Sequence, residues 1–256
     1  MTWQPNFEAV YDSLIFDPKM REYFGPEGYY NAGYWNTDVT TPEEASRALA
    51  DRLAEWIPAG AGSIVDVGCG LGATTRRLAE LRPQARILGL NFSFRQLAEA
   101  RSRCPRASLV QMDAARMGLR PDSVDAIFSL EAAFHFWTRA DFFREAACVL
   151  KPGGILAIAD IVFPPEGWPG SYTVPPENFV ESAATYVNLL SAAGFSGIRI
   201  EDATDLCWGG FCRALTAWSQ STPSLNQAAR DHWRAAVPAL RAGVTSYLLA
   251  SASVPG

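Results

Sequence analysis

Lysine is nearly missing from this sequence: Lys19 and Lys151 are the only two in 256 residues. Arginine carries the rest of the basic charge, yet 22 Lys and Arg stand against 27 Asp and Glu, for a formal net charge of −5. Such a chain lacks the positive field that draws in nucleic acid or an anionic membrane surface. Histidine is equally scarce, with His135 and His232 alone. The five cysteines (Cys69, Cys104, Cys148, Cys207, Cys212) are odd in number, scattered and without a C-x-x-C pair. Disulfides and structural zinc are therefore not expected, nor any other metal. No apolar run approaches the roughly 20 residues of a membrane span. The opening "MTWQPNFEAVYDSLIFDPKM" has no basic region followed by an apolar core. These absences leave a soluble, cytoplasmic protein whose partner is neither polyanion nor bilayer, with homo-oligomerisation left open.

What is present is a folding sequence, 48% hydrophobic and 19% charged, of a length that suits one α/β unit with added pieces. From Ser63 to Pro164, short β-rich runs alternate with longer amphipathic ones: "SIVDV", "TTRRLAELR", "RILGLNF", "FRQLAEARSRC", "SLVQMDA", "VDAIFSL", "ADFFREAACVL", "GILAIADIVF". That alternation predicts a parallel sheet with helices on both faces. Gly60-Ala61-Gly62 and Lys151-Pro152-Gly153-Gly154 punctuate two of its edges. Residues 1–58 end in a helical run with Thr41 as N-cap and Pro42 at the first helical position. A helix from Pro176 to Ala193, a strand "SGIRIEDA", a Trp-containing helical stretch to about Leu240 and a last strand close the chain. Residues 1–58 are read as an amino-terminal helical cap and 59–256 as the core, with 205–241 as a cap insertion.

The stretch "SIVDVGCGLGATT" raises the question of a ligand. A strand ending in Asp66 that enters a helix through Gly68, Gly70 and Gly72 brings bare backbone to whatever lies beyond it, and its N–H groups suit an anion. Gly68-x-Gly70-x-x-Ala73 also satisfies the dinucleotide form G-x-G-x-x-G/A. A P-loop is excluded, because no Gly-Lys-Ser/Thr follows.

Four segments in order resemble a known family, the class I S-adenosylmethionine-dependent methyltransferases. "VDVGCGLG" looks like their first motif, "GLNFSFRQ" sits where they contact ribose, "MDA" resembles their adenine-contacting segment, and "VLKPGGILAIAD" resembles the turn and strand after their fourth helix. "YYNAGYWNTDVTTPEEA" is similar to the entry segment of cyclopropane fatty-acid synthases and related small-molecule enzymes acting on sterols, tocopherols and natural-product sugars. The resemblance implies a Rossmann-like α/β fold: seven strands, mostly parallel, helices on both faces, a reversed last strand over Val244 to Ser253, and a helical cap. It implies S-adenosylmethionine as cofactor and S-adenosylhomocysteine as product. The implied cofactor contacts are Tyr30, Asn31, Asp66, Gly68, Cys69, Gly70, Asn91, Gln96 and Asp113, with Phe92, Ala114 and Leu130 on the same rim. Asn91 departs from the acid commonly found there, but an amide still pairs with hydroxyls.

His135, in "SLEAAFHFW", lies just beyond the fourth strand, at the edge where ligands sit in such sheets. Asp160 ends the neighbouring fifth strand. A His135–Asp160 pair there could take a proton from a hydroxyl nucleophile, the carboxylate fixing the imidazole tautomer; enzymes of the resembled family place such a pair at matching positions. Glu131 is a second candidate base. The expected acceptor is an apolar small molecule, a secondary metabolite, methylated on oxygen in preference to carbon.

Plainer readings stand beside these. The glycines could form a tight turn alone, Asn91 and Gln96 ordinary turn and helix-surface chemistry, and Asp113 a helix cap. Tyr29, Tyr30, Tyr34 and Trp35 could be core aromatics, Cys69 a small apolar filler, His135 a shaper of the pocket, and His232 part of a solvated helix face. Two other function classes remain: an S-adenosylmethionine-binding protein that transfers no methyl, as scaffold or catalyst of another reaction, and an NAD-dependent dehydrogenase.

Overall fold

A computed structural model describes residues 7–164 and 174–256. Seven strands form one sheet: β1 (Ser63–Val67), β2 (Arg86–Asn91), β3 (Ser108–Gln111), β4 (Val124–Leu130), β5 (Leu150–Val162), β6 (Ser196–Asp202) and β7 (Ser246–Ser253), in the order β3-β2-β1-β4-β5-β7-β6. The β3-β2-β1-β4-β5 part is parallel, and β7 runs antiparallel to both β5 and β6. This is the Rossmann-like methyltransferase architecture, with the last strand reversed. Strand order changes direction between β1 and β4, which opens a crevice beyond their carboxyl ends.

Both sheet faces are buried, and the side-chain period of two sorts residues between them. Along β7, Tyr247 and Leu249 join one apolar cluster, whereas Leu248, Ala250 and Ala252 join the other. The first cluster is covered by α3 (Pro42–Ala54) and α4 (Ala73–Leu81), through Leu49, Leu53 and Leu78. The second is covered by α6 (Arg139–Val149) and α7 (Ala183–Ala192), through Phe142, Phe143 and Tyr186. Each such side chain contributes about 1.5–3 kcal/mol by leaving water. The intervening α5 (Phe94–Arg103) follows β2.

Helix starts follow their caps. Thr41 and Glu44 form a reciprocal capping box at α3, Thr138 and Asp141 another at α6, and Ser93 caps α5 by accepting from Gln96 N. Two boundaries differ from expectation. Pro176–Asn178 is a single 3₁₀ turn, and α7 starts only after Ser182, which caps it by accepting from Thr185 N. Lys151-Pro152-Gly153-Gly154, read as an edge break, lies within β5, where Gly153 N donates to Val254 O and Gly154 O accepts from Val254 N.

Ahead of β1 come α1 (Phe7–Ile15) and α2 (Pro18–Phe24). Between β6 and β7 the chain makes α8 (Gly210–Ser221) and α9 (Gln227–Ala242). This insertion packs against α2, where Tyr23 meets Phe211 and Trp218 edge-on. His232 is exposed on α9. No helix among the described residues is long and apolar enough to cross a membrane.

Candidate active site

A cavity of about 510 Å³ lies beyond the carboxyl ends of β1, β2 and β4. Its floor is the turn after β1. Gly68 has φ of +82°, and a Cβ there would come within 2.3 Å of Ala132 Cβ, so only glycine lets this turn pass the segment after β4. Gly70 has φ of +53°, and the nearest atom to a Cβ there would be Gln96 Oε1 at 3.9 Å, the space around it being the cavity itself. The turn thus leaves a cradle of bare backbone that a side chain would fill. Gly68 N and Cys69 N donate back to Leu90 O at 2.8 and 3.0 Å, and Gly72 N donates to Cys69 O at 2.9 Å, which leaves the amides of Gly70 and Leu71 in the turn for a ligand.

Of the residues singled out from sequence, Tyr30, Asn31, Gly68, Cys69, Gly70, Asn91, Phe92, Gln96, Asp113, Ala114, Leu130, Glu131 and His135 all line this cavity. Two do not. Asp66 is buried beneath the turn, where Oδ2 accepts from Thr75 Oγ1 at 2.6 Å. Burial pushes its carboxyl up to about 7, against the lowering effect of Thr75. It props the turn from below and touches no ligand space. Burial, and then the Asp66 charge, also pushes the Cys69 thiol well up, so Cys69 is a protonated apolar filler.

Asp160 is the second, and its geometry departs from the expected pair. Oδ1 accepts from Phe134 N at 3.2 Å and Ile161 N at 3.0 Å; Oδ2 accepts from Arg139 Nε at 2.7 Å and Tyr186 Oη at 2.9 Å. Four donors fill the roughly four lone-pair sites of a carboxylate, so Asp160 cannot serve as the hydrogen-bonding partner that orients the His135 ring. It instead anchors a wholly buried ion pair with Arg139. Sequence spacing placed Asp160 at the right edge but gave no sign of Arg139, whose head group also donates to Asn178 O and Ile161 O.

His135 sits on a 3₁₀ turn (Ala133–His135), 8% exposed, between Phe134 at 3.7 Å and the edge of Tyr11 at 4.4 Å. Asn178 Nδ2 donates to the carbonyls on either side of it, Phe134 O at 2.9 Å and Phe136 O at 2.8 Å. Glu131 stands at the end of β4 with φ of +50°, a conformation costly for a side-chain-bearing residue. Its Oε1 accepts from Ala32 N at 2.7 Å and Tyr247 Oη at 2.6 Å, tying the entry segment to β7. Burial pushes this carboxyl up to about 7, opposed by those two donors.

The Glu131 shift has a measurable sign. A carboxyl raised to about 7 holds its proton in the folded chain at pH values where the unfolded chain, near 4.3, has lost it. Stability from this source is present at low pH and declines as pH rises from about 4 to about 7, then levels; Asp66 adds in the same direction. Denaturant melts of ligand-free protein should show that decline, and Glu131→Gln, which keeps the acceptor oxygen, should remove roughly half of it, the Asp66 part remaining. An unchanged slope in the variant would place the titration elsewhere.

Sequence reasoning missed the contribution of α1, which supplies Glu8, Tyr11 and Ile15 to the cavity wall, and the aromatic and acidic rim of Phe136, Trp137 and Asp141. No residue of the 205–241 insertion lines the cavity.

Comparison with known proteins identifies a family. Residues 65–158 match the model of a methyltransferase domain. The chain is 35% identical over 199 residues to erythromycin 3''-O-methyltransferase of Saccharopolyspora erythraea, covering 69% of this chain and 65% of that one. It is 32% identical over 190 residues to the O-methyltransferase cnsE of Penicillium expansum, covering 68% of each. Among solved structures it is similar to the [4+2]-cyclase SpnF, with a TM-score of 0.74 and 26% identity over 98% of this chain and 97% of that one.

Proposed function

Because the chain belongs to the class I S-adenosylmethionine-dependent methyltransferases, we infer that it transfers a methyl group from that cofactor to an apolar small-molecule acceptor, at a hydroxyl oxygen. The observation that carries this reading is a single cavity in which the bare glycine turn meets His135 and Glu131. The O-methyltransferase relatives support oxygen as the acceptor atom.

When bound, the cofactor supplies a methyl group on a positively charged sulfur, already activated for displacement. The chain's part is alignment first. The turn at Gly68–Gly70, with Tyr30, Asn31 and Leu130, would hold the amino-acid end, Asn91 and Gln96 the ribose, and Phe92, Asp113 and Ala114 the adenine. Orienting the two reactants is worth roughly 7–11 kcal/mol of barrier. His135 accepts the proton of the acceptor hydroxyl as its oxygen attacks and later returns it to water. Glu131, ionised above about pH 7, is the alternative base. Tyr11, Phe136 and Trp137 on the wall exclude water from the reacting atoms.

The test is release of S-adenosylhomocysteine when the protein meets the cofactor and a panel of hydroxyl-bearing polyketide, terpenoid, indole and glycosylated acceptors. Stoichiometric release with a product heavier by one methylene supports the reading. No binding heat with S-adenosylmethionine or its product, alongside a clear isotherm with NAD, would overturn it. The likeness to a cyclase over nearly the whole chain favours a second reading, in which the cofactor stays intact and the pocket rearranges its substrate; a product isomeric with the acceptor, without S-adenosylhomocysteine, would identify it.

A further inference from the structure

An asparagine amide has an accepting end and a donating end, and whatever holds one end decides which the ligand meets. At Asn91, Nδ2 donates to Gln96 Oε1 at 3.0 Å and to Ser93 O at 3.5 Å. The donating end is therefore turned into the protein, and Oδ1 is presented to the cavity that Asn91 lines. Gln96 can accept from Asn91 because its own amide is set the opposite way, with Nε2 donating to Asp12 Oδ1 at 2.8 Å. The same Asp12 oxygen accepts from Ser93 Oγ at 3.0 Å. Asp12 is only 8% exposed, and it belongs to α1, far from Gln96 in sequence. A carboxylate only accepts, so it admits one orientation of the Gln96 amide, and through it one orientation of Asn91. Without that carboxylate the Gln96 amide is free to turn, and Asn91 is then held only by its long bond to Ser93 O.

We propose that Asp12 is a positioning residue for the cofactor's ribose: acting through Gln96, it holds Asn91 with its accepting oxygen toward the ribose hydroxyls, and does so only while α1 is docked on the core. A ribose hydroxyl both donates and accepts, so the fixed Oδ1 takes its O–H directly, whereas an amide free to turn must first be ordered and binds more weakly. Because α1 also supplies Tyr11 to the wall beside His135, loading the ribose site and closing the acceptor side become one event. The inference rests on the S-adenosylmethionine reading of the cavity.

The experiment is calorimetric titration of wild type, Asp12→Ala and Asp12→Asn with S-adenosylhomocysteine and with its 2′,3′-dideoxy analogue. Asp12→Ala should weaken the natural product roughly 10–100-fold, the worth of one or two hydrogen bonds, and the dideoxy analogue by less than about threefold. Asp12→Asn, whose oxygen can still accept from Gln96, should recover most of the loss. Hydrogen exchange should show that the product protects α1 amides in the wild type and not in Asp12→Ala. Equal weakening of both ligands, or none, with wild-type binding intact, would overturn the relay alone. No heat with the wild type would overturn the cofactor reading and the relay with it.

Discussion

Replacing His135 with alanine is expected to cut turnover on a hydroxyl acceptor by about 10²–10⁴-fold, the contribution of a positioned base, while leaving cofactor affinity within a few-fold of wild type. The ring can be removed without moving its backbone, because Asn178 holds the carbonyls on both sides and Asp160 accepts from Phe134 N. The loss should be much smaller with a carbon or amine that is already nucleophilic, since no proton need leave before attack. Steady-state rates against pH provide the check: the wild type should show an ionisation limb that His135→Ala lacks. A variant that keeps full turnover on a hydroxyl acceptor would confine the histidine to packing.

The second large effect concerns stability. Arg139 and Asp160 are both fully buried, and truncating one leaves the other charged and unpaired in a place water does not reach. Arg139→Met should therefore lose about 3–5 kcal/mol of folding free energy, read from urea melts. The double variant Arg139→Met with Asp160→Asn leaves no stranded charge and should recover roughly half of that loss. A single variant within 1 kcal/mol (about the effect of an ordinary substitution) would mean that the pair is dispensable. Since the same guanidinium donates to Asn178 O, and the Asn178 amide frames His135, the single variant should also be slow.

The parts of this architecture legible in sequence are those that local physics enforces. Alternating apolar runs announced the strands, Thr41 with Pro42 announced α3, and only glycine fits the left-handed turn at Gly68. The reversed β7 came through family likeness. Local reasoning failed where a side chain's partner is remote. Asp160 looked like a partner for His135 because both stand at one edge, but its lone pairs are taken by Arg139 and Tyr186, from helices that no spacing rule connects to β5. The helix expected from Pro176 starts later, at its Ser182 cap, while Asn178 ahead of it holds carbonyls about forty positions earlier. Asp12 gave no signal at all: an acid on a short amphipathic helix reads as surface until the core beneath it is known.

The position of β7 has a consequence for the order of assembly. Among the described residues, β6 pairs with no strand except β7, and β7 alone bridges it to β5. On a growing polypeptide, β6 emerges first and must wait, unzipped, while α8 and α9 are made. Until β7 slides in between, the border of β5 from Ile155 to Val162 stays bare, a sticky ribbon open to the wrong neighbour. The sheet therefore closes only once β7 is made, when β5 and β6 gain their shared neighbour together.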